Sequence, residues 1–283
     1  MKYSTILLTL FAFAACSGKN KEYNSPKSYD LNHPQIYNMP GSLFEISGIA
    51  FFNGHNDTLF AEQDEEGAVY TLTLGRNDVQ KTAFKKHGDF EDIAICNNMV
   101  IMLLSDGKLY GMPLEQVRCG QIDSVKEWRN LLPQGEYEGL YADNTTQKIY
   151  VLYKTHPTPD EHKKTSGYIF QLDSHNHLAP AGQFHIPLSQ IEERSGKHKM
   201  HFKPSALAQN PKTKEWYILS SVNKMLVVTD TGWQVKAVWR LNPGLYIQPE
   251  GIAFDSDNNL YISNEGSKTT PGTVFKFNYT QAP

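Results

Sequence analysis

The sequence predicts an all-β protein, a five-bladed β-propeller built from four-stranded antiparallel blades. Three observations predict it: one short strand pattern occurs five times, most copies lie about 45 residues apart, and each copy is followed by further strands. The chain has 283 residues, of which 40% are hydrophobic and 20% charged, so it is large enough to bury such a core.

The repeated strand begins with a serine or glutamate and has an apolar residue at its centre. The five copies occupy residues 47–51, 91–95, 138–142, 205–209 and 250–254. Their central residues are separated by 44, 47, 67 and 45 positions and are Ile49, Ile93, Leu140, Leu207 and Ile252. Because one propeller blade takes about 40–45 residues, five copies predict five blades.

Each copy is followed by a polar turn and further apolar or alternating segments. Second strands are predicted at 58–61, 99–104, 149–153, 216–219 and 260–263. Third strands are predicted at 69–72, 108–112, 168–172, 225–229 and 273–277. Weaker fourth strands are predicted at 79–84, 117–122, 179–185 and 235–241, which leaves the fifth blade one strand short.

The N-terminal segment 34–39 supplies the missing strand in this prediction. It precedes the first copy and has no partner there, and pairing it with the last blade removes an exposed sheet edge. The alternatives are an open sandwich or a sixth blade within the 67-residue interval. That interval contains a predicted loop at 155–166 and a predicted short helix at 188–196, so we prefer an insertion to a sixth blade.

The first residues resemble a bacterial lipoprotein signal peptide. Lys2 precedes an apolar stretch at 6–15, which is too short to span a membrane and ends directly before Cys16. The resemblance implies a signal peptide at 1–15, lipidation of Cys16, a flexible tether over 16–33 and the propeller at 34–283. An ordinary secretory signal is the alternative. Because Ser17 stands where an aspartate would retain the protein in the inner membrane, we expect the outer membrane.

The other two cysteines are predicted to be free thiols. Cys96 ends an inner strand, and Cys119 is predicted on the outer strand of the same blade. Three strand spacings of ~4.8 Å would separate them by ~14 Å, which is beyond the reach of a disulfide.

The inner-strand copies resemble those of the SdiA-regulated propellers, also called the YjiK/CarP family. The segments 46–51, 137–141 and above all 248–255 with 260–265 carry the resemblance. It implies a cell-envelope β-propeller, likened to phytases and linked through one member to calcium homeostasis. Two positions depart from the family pattern: Thr155 replaces an acid after Lys154, and the segment 220–223 lacks the acid that often follows its serine.

Carboxylates are predicted to converge at one mouth of the ring, where the inner strands begin. Glu91, Glu138 and Glu250 open three inner strands, and turns on the same face bring further charged side chains. Six to eight hard oxygen ligands are what Ca²⁺ requires. The predicted metal ligands are Glu62, Glu91, Glu138, Glu250 and Glu265, and the predicted ligand mouth adds Lys154, Asp106 and Glu136.

The function expected from these residues is binding. Carboxylates at a mouth fit Ca²⁺ or a cationic ligand, whereas the structural alternative is that the three inner-strand glutamates accept backbone N–H bonds and tie the blades together. Catalysis by a metal-dependent hydrolase, a phosphatase or lactonase, is the second function class. The formal net charge of −3 disfavours nucleic acid. We expect a monomer with a small ligand or an envelope protein as partner, and membrane contact through the lipid alone.

Overall fold

The computed structural model describes residues 22–84, 86–155 and 164–281, and it is a five-bladed β-propeller. Each blade is a four-stranded antiparallel sheet, as the repeat predicts. The signal peptide and Cys16 lie outside the described residues, as do positions 156–163 of the predicted loop. No helix in the described part of the chain is long and apolar enough to cross a membrane.

The blades follow one another along the chain. Strand β1 (Gln35–Asn38) comes first, and blade 1 then consists of β2 (Ile46–Phe51), β3 (Leu59–Gln63), β4 (Ala68–Leu72) and β5 (Val79–Ala83). Blade 2 consists of β6 (Phe90–Cys96), β7 (Met99–Leu104), β8 (Leu109–Pro113) and β9 (Lys126–Trp128), with helix α1 (Leu114–Cys119) before its last strand. Blade 3 consists of β10 (Glu136–Asp143), β11 (Lys148–Thr155), β12 (Lys164–Leu172) and β13 (Leu178–Pro187).

Helix α2 (Leu188–Ser195) follows blade 3 and confirms the predicted short helix. Blade 4 consists of β14 (Ala206–Gln209), β15 (Trp216–Ser220), β16 (Met225–Thr229) and β17 (Val235–Arg240). Blade 5 consists of β18 (Pro249–Phe254), β19 (Leu260–Asn264), β20 (Thr273–Phe277) and the N-terminal β1.

Strand β1 closes the ring as the outermost strand of blade 5. It pairs with β20 in antiparallel register, Gln35 opposite Lys276 and Asn38 opposite Thr273. The last blade therefore has the same four strands as the others, and the first and last parts of the chain are held in one sheet.

Apolar side chains between neighbouring blades form the core. Second strands such as β7 and β15 are buried along their whole length because blades pack on both of their faces. Between blades 3 and 4, the rings of Trp216 and Trp233 stack with centroids 4.5 Å apart. This explains the continuous apolar runs in the second strands. Outer strands such as β5 are covered on one face only and therefore carry exposed polar residues.

The fourth strand of blade 2 is not at 117–122, where the sequence predicted it. Residues 114–119 form α1, whose Leu114 and Val117 are both buried, and Gly120 ends the helix with a φ of 78°. Apolar residues three apart share one face of a helix but lie on opposite faces of a strand. Cys119 therefore lies at the end of a helix, and both Cys96 and Cys119 are free thiols as predicted.

The packed domain begins before β1. Tyr29 and Leu31, which the sequence assigned to the tether, are 1% and 3% exposed. The Tyr29 hydroxyl donates to the carbonyl of Asn258 at 2.8 Å, and Tyr246 donates to the carbonyl of Leu31 at 2.8 Å. The segment before β1 is thus fixed to blades 4 and 5.

Candidate functional site

The mouth is the face of the ring at which the five inner strands begin. Each blade brings two positions there, one from the start of its inner strand and one just after its second strand, because these two strands are antiparallel neighbours. The pairs, from blade 1 to blade 5, are Ser47 with Asp64, Glu91 with Ser105, Glu138 with Lys154, Ser205 with Ser221, and Glu250 with Glu265.

A β-bulge lies at the start of four inner strands and positions the glutamates. The register shifts between Phe90 and Asp92, between Tyr137 and Gly139, and between Pro249 and Gly251. The extra residues are therefore Glu91, Glu138 and Glu250, and Ser47-Gly48 fall in the corresponding shift of blade 1. Because a bulge turns a side chain out of the regular alternation, it directs these three carboxylates away from the inter-blade core.

Glu138 and Lys154 form an ion pair across the first two strands of blade 3. Glu138 is 5% exposed, and its Oε1 contacts the Lys154 ammonium. A buried carboxylate is costly without such a partner. Lys154, the only cation among the ten mouth positions, is thus engaged within its own blade.

Glu250 is held by the neighbouring blade. The Ser221 hydroxyl of blade 4 hydrogen-bonds to its carboxylate, and the Ser205 hydroxyl of the same blade donates to the carbonyl of the preceding residue, Pro249, at 3.0 Å. Burial raises the pKa of Glu250, and the hydrogen bond from Ser221 and the charge of Lys154 oppose the shift. The two serines that stand in blade 4 in place of acids therefore bond to Glu250 and to its neighbour in blade 5.

Three further carboxyls at the mouth have raised pKa values. Burial raises the pKa of Glu91 to about 8, although Lys154 opposes the shift. Burial raises the pKa of Glu265 to about 8 as well, and the charge of Glu250 adds to it. Burial and the charge of Glu45 raise the pKa of Asp64 to about 6. The mouth thus gathers partly desolvated carboxyls that repel one another.

Two other carboxyls lie deeper and accept backbone N–H groups, Asp92 across blades 2 and 3 and Glu62 within blade 1. Asp92 accepts the N–H of Leu140 in blade 3 at 2.6 Å and that of Ile93 at 2.8 Å. Glu62 is fully buried and accepts the N–H of Gly48 at 2.6 Å. Burial raises the pKa of both carboxyls well above the usual range.

A model of the SdiA-regulated family matches residues 28–269, which is most of the chain. The chain belongs to the SdiA-regulated family. This agrees with the resemblance of the inner-strand copies. Among curated proteins none matches the chain.

Solved structures similar to this SdiA-regulated protein are propellers of other kinds. Glutaminyl cyclase from Myxococcus xanthus matches with 14% identity and a TM-score of 0.55, over 88% of this chain and 97% of that one. The PQQ-bound aldose sugar dehydrogenase from Streptomyces coelicolor matches with 12% identity and a TM-score of 0.52, over 88% and 99%. The calcium-binding protein regucalcin from Agrobacterium tumefaciens matches with 11% identity and a TM-score of 0.51, over 90% and 96%. At these identities the likeness shows the fold alone.

The predicted site residues separate into groups in this SdiA-regulated propeller. Glu91, Glu138, Glu250, Glu265 and Lys154 lie at the mouth positions, whereas Glu62 lies in the layer beneath. Asp106 instead pairs with Lys108 in its own turn, and Glu136 is exposed. Within residues 22–84, 86–155 and 164–281, no three or more His, Cys, Asp or Glu side chains are arranged to hold a metal ion.

Sequence reasoning gave the blade-tying role to the wrong residues. The structural alternative assigned backbone N–H acceptance between blades to Glu91, Glu138 and Glu250, but Asp92 accepts the N–H of Leu140 across blades 2 and 3, and Glu62 accepts that of Gly48 within blade 1. Asp92 directly follows Glu91, and only the bulge decides which of the two points inward. The spacing of the repeated strands does not indicate which of the two side chains points inward.

Proposed function

We propose that this protein is a ligand-binding propeller of the cell envelope that takes a positively charged ligand at its acidic mouth. The observation that carries the proposal is the set of bulge-directed glutamates, with desolvated carboxyls beside them. Glu91, Glu265 and Asp64 have raised pKa values because they are buried near one another. A ligand cation would relieve that repulsion.

The charges around the mouth are unevenly distributed. Acidic residues dominate blades 5, 1 and 2, through Glu250, Glu265, Asp64 and Glu91. The nearby lysines are already engaged: Lys154 pairs with Glu138, and the Lys224 ammonium donates to the carbonyl of Ile247 at 2.5 Å. Lys154 and Lys224 act on the acidic side only from a distance, and in the described part of the chain neither forms an ion pair with Glu91, Glu265 or Asp64.

An organic cation fits this arrangement better than Ca²⁺ does. Ca²⁺ needs six to eight oxygen ligands brought to within about 2.6 Å. The described residues hold no group of three or more His, Cys, Asp or Glu side chains that could bind a metal ion. An amine or guanidinium can bond to carboxylates that are farther apart, because it has several donors of its own. The likeness to regucalcin concerns the fold, so Ca²⁺ enters the test on the strength of the carboxylates alone.

We also propose that a lipid on Cys16 anchors the protein with its mouth facing away from the membrane. Strand β1 starts at the face opposite the mouth, because Gln35 pairs with Lys276 and Asn38 pairs with Thr273. Tyr29 is bonded to Asn258 in the β18–β19 turn of that same opposite face. The chain therefore reaches the propeller from the side away from the mouth.

The length of the connection supports this orientation. The backbone of Tyr23 exchanges two hydrogen bonds with the Asn32 side chain, so the segment is already tied to the domain at residue 23. Seven residues from Cys16 to Tyr23 can span at most about 25 Å. A lipid on Cys16 would hold the face opposite the mouth close to the bilayer.

Calorimetric titration tests the cation site. Residues 22–283 are titrated at pH 6 and pH 8 with argininamide, putrescine and CaCl₂. We expect one of them to bind, on the order of tenfold more tightly at pH 8, with protons released, because Glu91 and Glu265 lose their protons when a cation arrives. Binding of CaCl₂ alone would favour the metal, and with it the hydrolase alternative.

Matched variants locate the site. Glu91→Gln removes one mouth carboxylate and should weaken binding about tenfold. Glu136→Gln removes an exposed carboxylate from the same face and should leave the affinity unchanged. If no cation binds at millimolar concentration, or if both variants behave like the wild type, the mouth is not the site.

Fractionation of cells tests the anchor separately. Full-length Cys16→Ser should appear in the soluble fraction or as an uncleaved precursor, because the lipid provides the membrane attachment. Lys2→Gln, which leaves the cysteine intact, is the control and should stay in the membrane. Normal cleavage of Cys16→Ser with unchanged membrane recovery would contradict the lipoprotein proposal.

A further inference from the structure

A cavity of about 470 Å³ lies at the end of the ring opposite the acidic mouth. It is lined by the C-terminal halves of all five inner strands and by the turns that follow them. Its inner end is the ring of apolar residues Ile49, Ile93, Leu140, Leu207 and Ile252, each at most 5% exposed. None of the mouth positions lines this cavity, so the two sites share no lining residue.

The cavity is open because small residues follow the apolar ring. Alanines occupy the next position in four of the five inner strands, namely Ala50, Ala94, Ala208 and Ala253. The fifth has Tyr141, and Phe51 and Phe254 lie one position further out in blades 1 and 5. Neighbouring rings hold these aromatics in place: Phe51 packs against Tyr261 at 4.7 Å and Tyr141 against Trp216 at 5.1 Å between centroids.

The two carboxylates at the outer rim accept local hydrogen bonds, and the lining also includes the exposed Lys214. Asp143 accepts the N–H of Thr145 and the hydroxyl of Thr146. Asp255 accepts from Asn259 and from the hydroxyl of Tyr261. Neither carboxylate needs a ligand cation, in contrast to those at the mouth.

Neutral polar groups remain available within the cavity. The Gln209 amide donates to the carbonyl of Lys214, which leaves its Oε1 as an acceptor. Asn53 accepts from Asn144 at 2.7 Å, which leaves its NH₂ as a donor. Among the described residues the Tyr141 hydroxyl has no hydrogen-bond partner. The cavity thus offers one free hydroxyl, one donor and one acceptor beside three aromatic rings.

We infer that this cavity binds the end of a neutral polyhydroxylated ring, a saccharide. A sugar presents C–H faces that pack on Phe51, Tyr141 and Phe254, and its hydroxyls both donate and accept. A purely apolar ligand would leave the amides and the tyrosine hydroxyl unpaired, which is unfavourable in a closed site. A charged ligand finds no free counter-charge deep in the cavity. The size lies within the range of small-molecule sites.

The same sugar could arrive free in solution or as the head group of a glycolipid. The shared chemistry is a neutral sugar ring, and the experiment distinguishes the two sources. Residues 22–283 are titrated with glucose, N-acetylglucosamine and maltotriose, with cyclohexanol as the apolar ring, and then with vesicles that carry a neutral glucolipid. We expect at least one saccharide to bind and cyclohexanol not to compete. Binding to the vesicles alone would assign the glycolipid source.

Three variants tie the binding to this cavity. Tyr141→Phe removes the free hydroxyl and should weaken binding about fivefold. Ala142→Phe places a ring at a partly exposed lining position and should abolish binding, with its melting temperature confirming the fold. Tyr150→Phe, which removes a hydroxyl from a neighbouring ring outside the lining, should have no effect.

The mouth variant separates this inference from the proposed function. Glu91→Gln should leave saccharide affinity unchanged, because the two sites share no lining residue. Failure of every saccharide to bind at millimolar concentration overturns the inference. Equal binding by wild type and Ala142→Phe overturns it as well, whatever the mouth does with cations.

Discussion

The two ends of the ring are built from the same five strands but differ in their chemistry. At the mouth, three inner strands open with a bulged glutamate, and the carboxyls of Glu91 and Glu265 have pKa values of about 8. At the cavity end, the same strands continue with alanines, and Asp143 and Asp255 accept local hydrogen bonds. The mouth carboxyls keep their protons to a raised pH for want of close partners, whereas the carboxylates at the cavity end accept local hydrogen bonds.

The burial of a carboxyl is therefore not enough to identify a ligand site. Asp92 carries a carboxyl, as Glu91 does, and is more deeply buried. Its oxygens nevertheless have partners, because they accept hydrogen bonds from two backbone N–H groups. Glu91 is the preceding residue in the chain, and its carboxyl accepts no such bond among the hydrogen bonds of the described residues. A carboxyl that ties two blades supports the fold, and one that lacks a partner destabilises it.

The largest effect is expected where a carboxyl ties two blades. Asp92→Asn keeps the size of the side chain but replaces one acceptor with an NH₂ group, so the N–H of Leu140 or Ile93 loses its partner. We expect a loss of about 2–3 kcal/mol in the free energy of unfolding, or roughly 5–10 °C in Tm. Thermal unfolding followed by circular dichroism measures it.

Asp106→Asn provides the control for that change. It removes a carboxylate from an exposed turn on the same face, and surface changes of this kind cost less than about 0.5 kcal/mol. Equal melting temperatures for Asp92→Asn and Asp106→Asn would show that the bond between blades 2 and 3 is not important for stability. The distinction between structural and ligand-directed carboxyls would then be wrong.

Much of the fold could be predicted because the sequence repeats one strand pattern in every blade. The five inner strands, the short helix after blade 3 and the closing strand are confirmed, since apolar residues such as Ile49 and Ile252 recur at blade spacing. The described ends of the predicted loop 155–166 belong instead to β11 and β12. The outer strand of blade 2 was misplaced because the predicted strand began at Val117 and left out Leu114, which lies three positions earlier on the same helix face. Outer strands are weakly patterned, as only one of their faces is covered.

From the sequence, the site could be assigned to one face of the ring but not to particular side-chain contacts. Strand order alone brings Glu138 and Lys154 together, and the structure pairs them. Asp92 points inward because of a β-bulge, and no residue in the segment 89–93 predicts that bulge. Likewise the burial of Tyr29 depends on partners more than 180 positions away in the chain, Asn210 and Asn258. Such contacts follow from the closed ring and not from local sequence.

A smaller effect of opposite sign is expected at Glu91. A carboxyl whose pKa is higher in the folded than in the unfolded protein holds its proton longer when folded, so the free energy of unfolding falls as pH rises. The window runs from the unfolded value near 4.3 to the folded value of about 8 for Glu91 and Glu265. Without ligand, the protein should therefore be less stable at pH 8 than at pH 5.

Glu91→Gln should reduce that dependence, because glutamine has no charge to desolvate. At pH 8 we expect the variant to melt about 2–4 °C above the wild type, corresponding to about 1 kcal/mol, and at pH 5 the two should coincide. Glu136→Gln, at an exposed position, should follow the wild-type curve at both pH values. A variant that is less stable than the wild type at pH 8 would mean that Glu91 supports the fold as Asp92 does. Greater stability at pH 8 would instead mean that its charge is maintained at a cost to folding, as expected for a residue that awaits a cation.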